Sequence, residues 1–344
     1  MNSTKPLVSI SCITYNHAKY IRDAIESFLM QKTNFTYEIL IHDDASTDGT
    51  ENIIREYKKK YPDIIKPLYE TENQWSKGIR GSAVFNFPRA LGKYIAMCEG
   101  DDYWTDPYKL QKQVGFLEIN EEYGLVHGDC NFYFEEKKRW EYNANKNLTN
   151  NNPVFSKEDI FYQLIDASYK VRTATVVFRK ELLKKIKPND LNFLMGDTPL
   201  WLDFSLITRF KYFDEVFAVY RITSESASRT NNRVKQLRFS LSMAEMRIYY
   251  TNKYGYPINQ KLKTRYNGTL LAYKLLDMDY KEVYPLIEPS AYQRLKFKAL
   301  KRTFLRPLLL AEYMVANYLS ATRKHIAKML NPTPNSVVPT KPPC

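Results

Sequence analysis

The feature that most limits the fold of this 344-residue chain is a repeated pairing of a short apolar run with an amphipathic stretch, each run ending in polar residues. Leu7–Thr14 (LVSISCIT) is β-branched and short, which favours a buried strand over a helix. Tyr20–Gln31 then sets Ile21, Ala24, Ile25, Phe28 and Leu29 on one helical face. Tyr37–His42 reads as the next strand and Thr50–Lys60 as the next helix, with Asp48 or Thr50 as its N-cap. A weaker strand at Ile64–Tyr69, a helix at Ala83–Leu91, a clear strand at Tyr94–Cys98 and a helix carrying Leu110, Val114 and Leu117 continue the series. Strand, helix, strand, helix predicts an α/β domain with a mostly parallel, Rossmann-like central sheet flanked by helices. Tyr123–His127 and Ala174–Phe178 read as further strands around an Asn-rich loop, Lys146–Pro153. From Gln236 the pattern turns helical with no convincing strand.

Apolar residues make up 44% of the chain and aromatics 14%, enough side-chain area to exclude a disordered or fibrous protein. Cys12, Cys98, Cys130 and Cys344 lie far apart, so neither a zinc site nor a disulfide framework is expected, and free thiols fit a reducing compartment. The first residues are too polar for a signal peptide, and a cytoplasmic location is expected. The net charge of +13 is uneven: Ser290–Leu330 holds nine Lys/Arg against one acid, Glu312. Nucleic-acid binding is not expected, because these cations accompany apolar helical sequence and no recognition motif appears.

In open parallel sheets ligands gather outside the carboxyl ends of the strands. Three polar clusters fall at such ends: Thr14–Asn16, Asp43–Asp44 and Glu99–Asp102. Adjacent carboxylates repel, so the Asp101–Asp102 pair calls for a cation or hydrogen bonds. Mg²⁺ or Mn²⁺ takes one or two protein carboxylates and completes its shell with phosphate oxygens and water, which suits a diphosphate-bearing substrate. A solvated acidic turn or helix cap is the alternative.

With these motifs in view, the chain resembles the family 2 glycosyltransferases of GT-A fold. VSISCITYNHAKYIRDAIESFLMQ is similar to the family's opening motif, EILIHDDASTDGT to its second-strand motif, and GKYIAMCEGDDYWTDPYKLQKQ to its DxD-type metal motif. The likeness is good from Leu7 to about Gln113, patchy to Arg229 and absent beyond. It implies that Thr14, Tyr15 and Asn16 line the base and ribose pocket, with Tyr15 on the base, and that Asp44, supported by Asp43, reads the base edge, favouring uracil. It implies Asp102 as direct metal ligand for Mn²⁺ or Mg²⁺, with Asp101 in the ribose or metal shell. Glu99-Gly100 stands where many members have Asp and a small residue. In YRITSESASR, Arg221, Ser226, Ser228 and Arg229 are expected to meet the diphosphate, since guanidinium and hydroxyl groups suit phosphate. Arg80 is a further basic candidate.

An inverting transfer needs a base for the acceptor hydroxyl. The family draws it from a later acidic pair, and LMGDTPLWLDF offers Asp197, with an N-cap role as its alternative and Asp203 as a fallback expected on a helix surface. The resulting expectation is a sugar transferase for surface polysaccharide, taking a nucleotide-sugar donor, with UDP favoured, and a saccharide or polyprenyl-linked saccharide acceptor. A sugar nucleotidyltransferase and a noncatalytic nucleotide-sugar-binding protein are the alternatives; the former normally shows a Gly-rich loop that CITYNHAKYI lacks.

The expected organisation is a GT-A catalytic domain over 1–232, its nucleotide half 1–115 and acceptor half 116–232, then a C-terminal helical extension over 233–330 and a disordered Pro-rich tail, 331–344. FLRPLLLAEYMVANYL (Phe304–Leu319) is too short and too interrupted to span a bilayer. The basic stretch 294–328 instead suits a helix lying on an anionic leaflet, so peripheral contact with the inner membrane face is expected, with packing on the protein as the alternative.

Overall fold

The computed structural model describes residues 5–145, 156–186, 193–223 and 232–276. The strands are β1 (Val8–Thr14), β2 (Tyr37–Asp43), β3 (Ile65–Tyr69), β4 (Tyr94–Met97), β5 (Tyr103–Trp104), β6 (Tyr123–Phe134), β7 (Arg139–Glu141), β8 (Val177–Arg179) and β9 (Arg209–Ile222). They form one sheet in the order β3-β2-β1-β4-β8-β6-β9-β5, with β7 paired to β6. The first half is parallel, as the alternation predicts. The sheet as a whole is mixed rather than mostly parallel: β8 runs antiparallel to both β4 and β6, β5 antiparallel to β9, and β7 antiparallel to β6. β4 passes to β5 through the short EGDD turn with no crossover helix, so nothing forces β5 to run the same way as the N-terminal strands.

Helices α1 (Ile21–Leu29), α2 (Thr50–Lys60) and α3 (Lys109–Ile119) bury their apolar stripes, Ile21, Ala24, Ile25 and Phe28 on the first and Leu110, Val114 and Leu117 on the third. At the start of α2, Gly49 holds φ +99° while Asp48 accepts from the Thr50 amide (3.0 Å) and hydroxyl (2.6 Å). A second core forms around α4 (Lys157–Asp166), α5 (Asp197–Ser205) and α6 (Arg233–Lys253), joining Phe161, Trp201, Phe204, Met246 and Tyr250. The compact unit runs on through α7 (Gln260–Leu276), past the boundary drawn near residue 232, because α6 buries Leu241, Met246 and Tyr250 in that core. Asp203 is not a surface residue: it is buried and bonds Lys253 (2.7 Å) and the hydroxyls of Tyr250 (3.2 Å) and Tyr254, tying α5 to α6. Among the described residues no helix is long and apolar enough to cross a membrane. Cys12, Cys98 and Cys130 are buried free thiols.

Asn86, in the helical turn Ser82–Asn86, is fully buried and holds the strand ends that carry the site. Its amide donates to Ser11 Oγ (3.1 Å), Cys12 O (3.1 Å) and Leu40 O (3.2 Å), and its carbonyl accepts from Arg89 (2.7 Å). Removing this side chain takes away a buried donor shared by Ser11 Oγ and carbonyls of β1 and β2, and the acceptor that holds Arg89. Asn86→Ala is expected to lower unfolding free energy by about 2–4 kcal/mol, read from a urea midpoint, and a change below about 0.5 kcal/mol would mean these bonds carry no weight.

Candidate active site

Parallel pairing in register brings the first two polar clusters together. Thr14 stands opposite Asp43, and the Asp44 amide donates to the Thr14 carbonyl (3.0 Å). Asp43 is buried, and burial raises its carboxyl pKa while a bond from Ser46 holds it back. Asp44 accepts from the Gln74 amide (2.6 Å) on one oxygen and the Trp75 amide (3.0 Å) on the other. Asn16 holds φ +54°; its amide donates to Ser46 Oγ (2.8 Å) and its side-chain oxygen accepts from the Thr47 amide (2.8 Å). Tyr15 is 44% exposed beside this loop, while Thr14 Oγ1 is buried with no hydrogen-bond partner.

β4 pairs with the other side of β1, and the ladder continues into the EGDD turn through Cys98 N to Ser11 O (3.2 Å) and Gly100 N to Ile13 O (2.9 Å). A Cβ on Gly100 would lie 2.6 Å from Thr14 Oγ1, so glycine lets the acidic turn close on the Thr14 end of β1. β5 then pairs with β9, Tyr103 opposite Val219, which sets Asp102 against Arg221. Asp102 is 1% exposed; one oxygen accepts from the Arg221 amide (2.8 Å), and Oδ2 is buried without a partner. Burial, then Asp101 and Glu99, push its carboxyl well above the usual range, against the pull of Arg221. Glu99 is pushed up to about 8 by burial first, then by Asp101 and Asp197. Asp101 is more open, with His17 Nε2 at 3.9 Å.

Asp197 begins α5 and lies near enough to Glu99 to help raise its carboxyl. Thr173 Oγ1 donates to one carboxylate oxygen (2.8 Å); the Thr198 amide (2.6 Å) and hydroxyl (3.2 Å) donate to the other. Tyr220 reports the same convergence: burial, then Asp102, Glu99, Asp101 and Asp197, raise its phenol well above the usual value. Arg80 lies with its guanidinium 4.0 Å from the Trp75 ring, donates to Phe193 O (3.2 Å from Nε) and runs beside Gly196.

Arg221, expected to meet the diphosphate, also has structural partners. Its guanidinium donates to Asp101 O (2.9 Å) and pairs with Asp23, with Tyr20 and Tyr103 rings at 5.0 and 4.7 Å, so it is a strut under the acidic turn. Sequence reasoning missed Asp23 and Thr173. Asp23 sits on the polar side of a helix read only for its apolar face, and Thr173 is one hydroxyl in VRTATVV. Ser226, Ser228 and Arg229, and the basic stretch 294–328, lie outside the described residues.

No group of three or more His, Cys, Asp or Glu among the described residues could hold a metal. Mg²⁺ or Mn²⁺ bound with a diphosphate needs fewer, and the orphaned Asp102 Oδ2 beside Asp101 fits one or two carboxylates on a hard divalent ion.

The family model described as glycosyl transferase family 2 matches residues 9–186. An uncharacterised protein of Mycobacterium tuberculosis is 35% identical over 175 residues, 51% of this chain and 47% of its own length. The Escherichia coli UDP-Glc:α-D-GlcNAc-diphosphoundecaprenol β-1,3-glucosyltransferase WfaP is 35% identical over 130 residues, 38% of this chain and 47% of its own length. The chain thus spans about half the length of these curated relatives. The mannosyltransferase PcManGT of Pyrobaculum calidifontis, solved with GDP-Man and Mn²⁺, is 16% identical with a TM-score of 0.50 over 96% of this chain and 89% of that one, a likeness that bears on the fold, which is GT-A-like α/β with a mixed sheet. Because the family match takes in β1, the acidic turn and more than half of the 344 residues, the chain belongs to glycosyl transferase family 2.

Proposed function

We propose that this protein transfers a glycosyl group, with inversion, from a UDP-sugar to a saccharide or polyprenyl-linked saccharide acceptor in surface polysaccharide synthesis. The observation that carries the proposal is the acidic turn of Glu99, Asp101 and Asp102 at the end of β4, with a buried Asp102 oxygen left unpartnered and Asp197 near enough to act on Glu99. The named activity of the Escherichia coli relative supports a UDP-sugar donor and a lipid diphosphate acceptor. Contact of the stretch 294–328 with the inner membrane face, where such an acceptor would lie, belongs to the same proposal.

In this reading the base lies against Thr14, Tyr15 and Asn16, and Asp44 reads its edge. Each Asp44 oxygen takes one loop amide and keeps acceptor capacity for a ring N–H, as on uracil. The acceptor oxygen attacks the anomeric carbon as the bond from that carbon to the diphosphate oxygen breaks. The hydroxyl proton passes to Asp197, whose three donors fix its direction and leave acceptor capacity on Oδ2. Asp101 and Asp102 would hold Mn²⁺ or Mg²⁺, which when bound offsets the charge gathering on the leaving diphosphate. Arg221, tied to Asp23, keeps the acidic turn in position.

Purified full chain with Mn²⁺ and a panel of UDP-, GDP- and dTDP-sugars is expected to release UDP from one donor, and chelation or Asp102→Asn should cut that release at least about 100-fold. Release that survives both would remove the metal role. Asp197→Asn is expected to lower kcat about 10²–10⁴-fold while UDP affinity, followed by calorimetry, stays within about twofold; an unchanged kcat would take the base assignment from Asp197.

A further inference from the structure

Near Asp197 the structure brings cations from three separate segments. Lys170 and Arg172 lie on the strap that leads to Thr173, the residue whose hydroxyl holds Asp197. Arg247 comes from α6 and Arg265 from α7. The loop before Asp197 is pinned to α6 by the Leu194 amide on Ser242 Oγ (3.0 Å), five residues before Arg247.

Arg247 is 6% exposed, and its Nε is buried with no hydrogen-bond partner. The other well-buried cations are provided for: Arg179 bonds Tyr123 O and Leu117 O, Arg221 pairs with Asp23, and Lys109 donates to Gln113. A buried N–H left without an acceptor costs stability. Carboxylates act on this cluster at longer range, Asp166 on Arg247 and Asp197 on Lys170. Burial and then Arg247, Arg172 and Arg265 bring the Lys170 ammonium down to about 8, so the four charges share one neighbourhood. Burial, followed by Arg265, brings Arg247 down to about 10.

We propose that Lys170, Arg172, Arg247 and Arg265 form a subsite for an anionic group on the acceptor, held beside the hydroxyl that meets Asp197. Guanidinium forks and an ammonium are the groups that recognise phosphate and carboxylate oxygens. The anion is either a phosphate or diphosphate linking the acceptor to its carrier, or the carboxylate of an acidic sugar. An anion there supplies the partner Arg247 lacks. This inference rests on the transferase reading for its use, but anion binding itself can be measured apart from transfer.

The test titrates inorganic pyrophosphate and methyl β-D-glucuronide, with neutral methyl β-D-glucoside as control, into the full chain. Saturating UDP and Mn²⁺ fill the donor side, and ionic strength is fixed. One anion should bind and the glucoside should not, with pyrophosphate indicating a phosphate-linked acceptor and glucuronide an acidic sugar. Lys170→Gln and Arg265→Gln should each weaken that binding at least about tenfold. Arg247→Met, of similar volume and uncharged, should abolish it without lowering the thermal unfolding midpoint. Binding of neither anion, or binding that all three variants leave within about twofold, overturns the subsite. A separate UDP titration of the unaltered protein distinguishes the two failures: UDP binding without variant-sensitive anion binding sinks the subsite alone, whereas anion binding without UDP binding sinks the transferase reading.

Discussion

The rest of the structure depends on a set of carboxylates held closer than a folded chain tolerates without compensation. Glu99 feels both Asp101 and Asp197, Asp102 feels Asp101 and Glu99, and Asp102 is buried with an oxygen that nothing bonds. An unpaired buried charge costs several kcal/mol, a large share of the roughly 5–15 kcal/mol by which a domain is stable. The chain offsets part of this through the Arg221 amide on Asp102 and the Arg221 guanidinium on the Asp101 carbonyl. What remains uncompensated is a capacity to bind a cation, since the unpartnered Asp102 oxygen is an acceptor among like charges.

Two struts keep that arrangement from relaxing. The first runs from Asp23 on α1 through Arg221 on β9 to the acidic turn, with Tyr20 and Tyr103 beside the guanidinium. It joins residues 198 positions apart, so the turn's position depends on the complete sheet rather than on local sequence. The second runs from Asp44 through the Trp75 amide, the Trp75 ring and Arg80 to the Phe193 carbonyl, just before Asp197. It physically connects the residue proposed to read the base with the loop that starts α5.

The N-terminal half was legible because its physics is local. β1, β2 and β4 are short apolar runs buried on both faces, α1 and α3 carry clean stripes, and each acidic cluster directly follows a strand, so its location follows from the element before it. β9 was not legible. RFKYFDEVFAVYRI mixes charges at Lys211, Asp214 and Glu215 with its apolar residues, and its register on β6 shifts at Gly128 and Asp129, so no period of two survives. The mixed direction of the sheet was hidden for a related reason, since strand direction is set by pairing and not by composition. Asp203 was misjudged because its partners, Tyr250, Lys253 and Tyr254, lie on a helix about 50 residues later. Thr173 and Asp23 carry no pattern of their own, and their roles arise only when distant segments meet.

The same reasoning explains why the basic cluster was invisible in a chain whose net charge was plain. Its members are spread from Lys170 to Arg265, while the count of charges drew attention to the C-terminal stretch. In the folded protein Asp197 interacts with both groups, with Glu99 of the acidic turn and with Lys170 of the basic cluster, so the proposed site has an acidic half and a basic half. Each half is a local excess that the fold itself leaves unbalanced. A ligand that balances one half is bound by the energy it relieves, and it stabilises the folded state by mass action as it does so. If donor and acceptor bind as proposed, the basic half would repel the metal, and the two signs of charge would help to keep the metal and an anionic acceptor group apart.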